Sequence, residues 1–209
     1  MELQLILSFF GASILLSLMP GPDNIFVLTE SLTKGYKNGI AISLGLVFGI
    51  MIHTLAATTG ISIIIQKSAM AFSIIKYFGA AYLFYLAIKA IKEKRPEISF
   101  EDSKAENKVN MGKLIRKGFL MNVLNPKVSL FFIAFLPQFI TPDGYNVSLQ
   151  MILLGILFML QALLVFGGIA ILSGKLTPYL NSSRFWKITK WSKVGVLAIL
   201  GITLAFAKK

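Results

Sequence analysis

With 209 residues, 56% of them hydrophobic and only 14% charged, the chain is too apolar for a soluble domain and indicates an integral membrane protein. Its net charge of +12 would suggest nucleic-acid binding in a soluble protein, but the basic residues lie in short segments beside apolar runs. We therefore expect contact with anionic lipid headgroups and no nucleic acid. The absence of cysteine excludes a disulfide framework and a thiolate metal site, and we expect no metal and no cofactor.

Six apolar spans of about 20 residues or more predict six transmembrane helices in a single membrane domain over 1–209. The first span is expected to be retained, because the chain starts without a basic segment and no small-residue cleavage site follows. The spans are expected at about 3–29, 38–65, 70–91, 115–138, 147–173 and 190–207.

Polar segments divide these spans. A polar stretch at about 92–113 separates a first half, about 1–91, from a second half, about 114–209. A further loop is expected before the last span, with these residues in it: Lys175, Pro178, Arg184, Lys187 and Lys190.

Basic residues are concentrated on one side of the six spans. The loops between spans 1 and 2, 3 and 4, and 5 and 6 hold most of them, and the loop between spans 4 and 5 holds none. The opposite side has only Lys67, Lys76, Lys208 and Lys209. The positive-inside rule therefore predicts that the rich loops, including 92–113, are cytoplasmic and that both termini lie outside.

The first span contains a break that we interpret as the floor of a binding site. Pro20 and Pro22 each lack an N–H and clash with the carbonyl one turn back, and Gly21 permits the backbone angles that a break needs. Asp23 and Asn24 follow at once, and an acid at membrane depth is tolerated mainly beside protein or water. Asp23 is expected to bind a substrate ammonium group or to carry a proton, and the alternative is a simple helix cap.

A second break is predicted at Asn125-Pro126 in the fourth span. Asn125 suits the N-cap of a helix and Pro126 suits its first position. Lys127 adds a cation next to a positive helix end, which suits an anion such as a carboxylate. The alternative is a snorkelling lysine on an ordinary kinked helix.

The two breaks are related by an offset of about 105 residues, which suggests an internal repeat. Each half has three spans, and an odd number requires the two halves to be oppositely oriented. The prediction is therefore an all-α membrane protein of two inverted three-helix repeats, with helices 1 and 4 broken. In such proteins the substrate binds where the interrupted helices meet.

Five polar side chains near the breaks are the candidate binding residues: Asp23, Asn24, Asn122, Asn125 and Lys127. Asp23 and Lys127 offer opposite charges to a zwitterion, or pair with each other when the site is empty. Asn24 and Asn122 can add neutral hydrogen bonds. Asn122 lies one turn before Pro126, where it can also bond with backbone groups that the kink frees.

Other features of the spans have two interpretations each. His53, the only histidine, could relay a proton or make a neutral interhelical hydrogen bond. Glu30 is a second relay candidate near the cytoplasmic interface, and Gln161 is better explained as a structural hydrogen bond. Gly45 and Gly49 form a GxxxG pattern, which permits close helix approach within the protein or across a homodimer.

No motif of an enzyme is present, since the chain has no HExxH, no Walker loop and no paired acids at membrane depth. Two stretches resemble the LysE/RhtB family of amino-acid exporters: Pro20-Gly21-Pro22-Asp23-Asn24, and the run from Gly118 through Asn122, Asn125-Pro126-Lys127 and on to Phe139. The length, the six spans and the polar loop match as well, so the resemblance covers the whole chain.

The resemblance implies an inner-membrane exporter of amino acids or close derivatives, driven by exchange with protons and assembled as a homodimer. One sub-branch of the family has Asn where this chain has Asp23, so the resemblance does not imply that the fold needs this carboxylate. Two alternatives stay open. The first is an inorganic cation exporter, for which only Asp23 and Glu30 offer charged oxygen ligands. The second is a non-transporting scaffold whose working part is the loop at about 92–117.

Overall fold

The computed structural model describes residues 2–61, 68–93, 110–141, 144–180 and 182–207. All regular structure in these ranges is helical, so the predicted all-α class is confirmed. The helices are α1 (Leu3–Leu18), α2 (Pro22–Lys34), α3 (Tyr36–Ala56), α4 (Ala69–Lys92), α5 (Met111–Val123), α6 (Pro126–Leu130), α7 (Val147–Leu180) and α8 (Ser183–Phe206).

Two helices continue in other helical geometries. A π-helical turn at Ala57–Ile61 follows α3. After α6, a π-helical turn at Phe131–Phe135 leads into a 3-10 turn at Leu136–Phe139.

Four stretches are long and apolar enough to cross a membrane: Tyr36–Gly60, Met70–Lys92, Val147–Tyr179 and Ser183–Phe206. Two further pairs of helices pass this test only together. α1 and α2 are bent by 58° at their junction, and α5 and the stretch Pro126–Phe139 are bent by 50°. The described part of the chain therefore has four spanning helices, or six if each bent pair is one span, and both breaks lie where they were predicted.

Some predicted boundaries are wrong. α2 runs to Lys34, beyond residue 29, and α5 begins at Met111, inside the predicted polar stretch. The loop predicted before the last span is helical in α7 and α8 at all five of its named residues: Lys175, Pro178, Arg184, Lys187 and Lys190. Two predicted segments, 62–65 and 94–109, lie outside the described residues.

The prediction of a loop before the last span was wrong because hydropathy detects only the apolar part of a helix. Backbone hydrogen bonding continues through amphipathic turns, whose lysines and arginines carry their charges to water. Pro178 lies in the last turn of α7, where its missing N–H leaves the carbonyl of Gly174 without its partner four residues on, and the helix ends two residues later.

The broken span of each half packs against the middle span of the other half. The first broken span packs against α7, and α5 of the second broken span packs against α3. In addition, α3 contacts α7 and α4 packs along α8. A two-fold axis relating the halves produces this pattern, because it sends the first span onto the fourth and the second onto the fifth. The inverted repeat stays a prediction, which this packing supports.

Phenylalanine side chains pack the region next to the second break. Phe131, Phe132 and Phe135 are all at least 97% buried. The Phe131 ring lies 5.3 Å from that of Phe158 on α7, and the Phe9 ring of α1 lies 5.3 Å from that of Phe139. These contacts hold α1, α7 and the second broken span together beside the breaks, so the phenylalanine run serves packing.

α3 and α5 cross in backbone contact. Gly45 on α3 lies against the carbonyl of Ile115, and Gly118 on α5 lies against the carbonyl of Ile42. A Cβ at either glycine would collide with that backbone. Gly49 faces the side chain of Asn122 in the same way. The GxxxG pattern therefore serves helix contact within the chain, and the homodimer stays a prediction.

The crossing makes Gly45 sensitive to one added methyl group. We expect Gly45→Ala to destabilise the protein by about 1–3 kcal/mol, because the methyl would force α3 and α5 apart. Gly195→Ala is the matched control, since a Cβ there meets no neighbouring element within 4 Å. Thermal unfolding of the detergent-solubilised variants would measure the difference. Equal midpoints for the two variants would contradict the close crossing.

Candidate functional site

The two breaks are joined by the side chain of Asn125. Its Nδ2 donates to Asp23 Oδ2 at 2.6 Å, and its Oδ1 accepts from the backbone N–H of Lys127 at 3.0 Å. Asn125 therefore caps α6, as predicted, and also holds the carboxylate in the first turn of α2. Asp23 is 2% exposed, so its carboxylate lies inside the protein at the junction of the two broken spans.

Lys127 reaches across the junction to the end of α1. Its Nζ donates to the carbonyl of Leu16 at 3.0 Å and to that of Met19 at 3.4 Å. The last carbonyls of a helix lack partners within the helix, and this end carries partial negative charge that favours a cation. Lys127 therefore does not snorkel, because its ammonium group is bound inside the protein at the first break.

Asp23 and Lys127 do not form a direct ion pair in the described part of the chain, where the only ion pairs within 4.0 Å involve other residues. They are nevertheless close enough for their charges to attract each other. Asn125 connects the two residues, because its side-chain amide donates to the Asp23 carboxylate and accepts from the backbone N–H of Lys127. The site thus holds one acid and one cation side by side, and each is held by neutral polar groups.

Asn24 and Gln161 converge on the last turn of α1. Asn24 Nδ2 donates to the carbonyl of Ser17 at 2.9 Å, and Gln161 Nε2 donates to Ser17 Oγ at 2.9 Å. Gln161 thus makes a hydrogen bond between α7 and α1, which is the structural interpretation of this residue. Ser17 was not predicted as a site residue, although a polar residue one turn before the Pro-Gly-Pro break was a usable signal.

His53 and Asn122 connect α3 to the second break. His53 Nε2 donates to the carbonyl of Asn122 at 3.1 Å, and both residues are buried. Of the two interpretations of His53, the structure contains the interhelical hydrogen bond. A role as a proton relay stays a prediction.

Three buried side-chain oxygens around the breaks have no hydrogen-bond partner among the residues that the structure describes: Asn24 Oδ1, Asn122 Oδ1 and Gln161 Oε1. A buried acceptor without a partner costs about 1–3 kcal/mol. Each of these oxygens could accept a hydrogen bond from a ligand. Unused acceptors beside a buried acid suit a ligand with several N–H donors, such as an ammonium group.

Glu30 is separate from this junction. It lies seven residues beyond Asp23 on α2, which is about 10 Å along the helix axis. Its carboxylate accepts from Lys34 Nζ at 2.9 Å, one turn further on. The structure therefore brings Asp23, Asn24, Asn122, Asn125 and Lys127 to the breaks, with His53 linked through Asn122, and places Glu30 elsewhere.

These features define an all-α, multi-pass membrane protein with interrupted helices at a polar junction. The chain belongs to the LysE type translocator family, whose model matches residues 14–208. The family predicted from the two break motifs is thereby confirmed, and it is a family of transporters.

Three relatives illustrate the similarity. The chain is 32% identical over 203 residues to the "Uncharacterized membrane protein YrhP" of Bacillus subtilis, covering 94% of this chain and 95% of that protein. It is 29% identical over 210 residues to an "Uncharacterized membrane protein" of Vibrio cholerae, covering both chains fully. It is 28% identical over 201 residues to the "Homoserine/homoserine lactone efflux protein" of Salmonella typhimurium, covering 96% of each. No solved structure matches the chain.

Proposed function

We propose that this protein exports amino acids or close derivatives across the cytoplasmic membrane in exchange for protons. The observation that carries the proposal is the junction of the two interrupted helices, where a buried acid and a partly buried cation lie side by side. Membership in the translocator family and similarity to a homoserine efflux protein support export of a small amino acid.

The zwitterion is bound by complementary charges at the junction. Its ammonium group contacts the Asp23 carboxylate and takes up the free acceptor oxygens of Asn24 and Asn122. Its carboxylate contacts the ammonium group of Lys127, which gives up one of its two backbone carbonyls. Each substrate charge replaces a weaker neutral contact, so binding needs no ion pair to be broken.

The proton is carried by Asp23. When the site faces outward, protonation of Asp23 removes the charge that holds the substrate ammonium group, and the substrate is released. The protonated carboxyl then donates to a neighbouring acceptor while the site returns to the cytoplasmic side. Loss of the proton there restores the binding charge, so proton entry and substrate exit are linked.

An efflux assay tests the proposal. Cells that express the protein or carry an empty vector are loaded with a panel of dipeptides, and the amino acids released into the medium are measured. We expect selective release of a few amino acids that depends on the protein. Equal release from both cell types across the panel would overturn the proposal.

Asn125 gives a prediction with a matched control within the chain. Both Asn125 and Asn110 cap a helix through Oδ1, with bonds of 3.0 and 3.2 Å to a backbone N–H. Only Asn125 also holds Asp23. We expect Asn125→Ala to lower export about tenfold and Asn110→Ala to cost only the cap, about 1 kcal/mol of stability. Export and thermal unfolding measured on both variants would test this. Equal export by the two variants would show that the bond to Asp23 is not needed.

A further inference from the structure

A cavity of about 660 Å³ lies between the first break and the beginning of α8. The break lines it with Pro20–Pro22, and α8 lines it with Trp186, Trp191 and several lysines. Glu93, which caps the C-terminal end of α4, lines it as well. The volume is in the range of small-molecule sites. The ends of α4 and α8 that meet here belong to the side predicted to be cytoplasmic.

The charged residues that line this cavity are mostly positive. Lys187, Lys190 and Lys193 stand against a single acid, Glu93. A concave surface with low-dielectric walls focuses such a field, which attracts anionic groups and repels cations. The cavity therefore favours a ligand that carries a carboxylate and has no net positive charge.

Two of these lysines contact Glu93 in different ways. Lys190 Nζ donates to the backbone carbonyl of Glu93 at 3.2 Å, so it stabilises the end of α4. Lys193 Nζ instead donates to both carboxylate oxygens of Glu93, at 2.8 and 2.6 Å. On the other side of the cavity, Gly21 lines the wall, and a Cβ at Gly21 would lie 3.8 Å from Lys127 Nζ. The cavity therefore extends from Lys193 to the junction of the breaks beside Lys127.

The Glu93–Lys193 ion pair can open. The Glu93 side chain is 47% exposed and that of Lys193 is 16% exposed. An ion pair with one half-exposed partner is screened by water and contributes little stability, so another carboxylate can replace Glu93 at small cost. Lys193 would stay in place with its ammonium group facing the cavity, while Glu93 would be hydrated.

We infer that this cavity is the vestibule through which the substrate reaches the breaks, and that Lys193 binds the substrate carboxylate there. In the empty protein the Glu93 carboxylate binds the Lys193 ammonium group, and the substrate carboxylate displaces it. The substrates are then amino acids without net positive charge, and the carboxylate passes from Lys193 to Lys127. This inference rests on the proposed function, because it assumes that an amino acid is transported.

Substitutions of Lys193 and Glu93 test the inference, because they are expected to change the KM in opposite directions. Uptake into inside-out membrane vesicles is measured with homoserine and lysine as probes. Lys193→Gln is expected to raise the KM for homoserine about tenfold, because a charge-assisted contact is lost. Glu93→Gln is expected to lower this KM several-fold, because the competing carboxylate is removed. Lys193→Arg keeps the charge and restores most of the affinity.

The same assay distinguishes substrate binding by Lys193 from a purely structural role of the Glu93–Lys193 ion pair. If the ion pair only holds α4 to α8, Lys193→Gln and Glu93→Gln would impair uptake alike, which would overturn the inference. Lys175→Gln is the matched control. Lys175 lies near the C-terminal end of α7, shortly before α8 begins, and does not line the cavity. We expect this variant to leave every KM unchanged.

A comparison of probes with different net charge gives an independent test of the inference. We expect wild-type protein to take up homoserine in preference to lysine, and Lys193→Gln to narrow this preference by admitting lysine more readily. Wild-type uptake of lysine in preference to homoserine would overturn the inference and leave the proposed function intact. Absence of transport for every amino acid of the efflux panel would instead overturn both.

Discussion

Replacing Lys127 with methionine is expected to lower export between tenfold and a hundredfold. Methionine keeps the length and apolar stem of the side chain but removes the ammonium group that binds the carbonyls of Leu16 and Met19. A hydrogen bond to a charged group is worth about 1.5–3 kcal/mol, and about 1.4 kcal/mol corresponds to a tenfold change. Transport in reconstituted vesicles, with protein amounts matched, would measure the loss.

Lys76 provides the control for this experiment. Its Nζ also donates to a carbonyl at a helix end, that of Ala207 at 2.9 Å, and it takes no part in the junction of the breaks. Lys76→Met should therefore destabilise the protein without changing which substrates it prefers. If Lys76→Met lowered transport as much as Lys127→Met, loss of a helix cap alone would explain the effect of Lys127→Met.

A second comparison uses an amino acid and its amide, which lacks the carboxylate. If Lys127 contacts the substrate carboxylate, Lys127→Met should weaken binding of the acid far more than binding of the amide. Equal weakening of both compounds would contradict this contact and leave Lys127 a purely structural group.

Replacing Asp23 with asparagine is expected to abolish export driven by a proton gradient. Asparagine has nearly the same shape and its Oδ1 can still accept from Asn125, so the junction is retained. The amide cannot take up or release a proton, so the proposed coupling of substrate to protons is lost. Exchange of labelled for unlabelled substrate without a gradient should persist. Vesicles that contain a pH-sensitive dye would report both activities.

Glu30 is the other acid of α2 that is buried, at 7% exposure. Its pairing with Lys34 and its distance from the breaks argue that it does not carry the coupled proton. If Glu30→Gln abolished coupled export and Asp23→Asn did not, the proton-carrying group would be Glu30. Full coupled export by Asp23→Asn would remove Asp23 from the mechanism.

The breaks were predictable because their causes are local. Pro20, Gly21 and Pro22 act on the backbone within one turn, and Asn125 with Pro126 forms the start of a helix from adjacent residues. The apolar spans were predictable for a similar reason, since hydropathy is read from consecutive residues. The family resemblance rests on the same two motifs.

The contacts across the junction were not predictable, because they join residues that are far apart in the chain. Nothing next to Lys127 indicates that its ammonium group binds the end of α1, and nothing next to Glu93 indicates that its partner is Lys193. The extended helix ends were missed because their charged residues resemble a loop when hydropathy is averaged. Helical continuity there depends on backbone bonds that any of these residues can make.

The crossing of α3 and α5 also determines how the molecule can move. Packed helices usually slide past one another by small changes of side-chain rotamers, but two backbones in direct contact at Gly45 and Gly118 have no such layer between them. α3 precedes the polar stretch and α5 follows it, so this crossing is a rigid contact between the two halves of the chain, in addition to the packing of α3 and the first broken span against α7. We expect the alternating exposure that transport requires to come from elsewhere, at α2 and the segment after Asn125, because these follow the two breaks and can change their angle there.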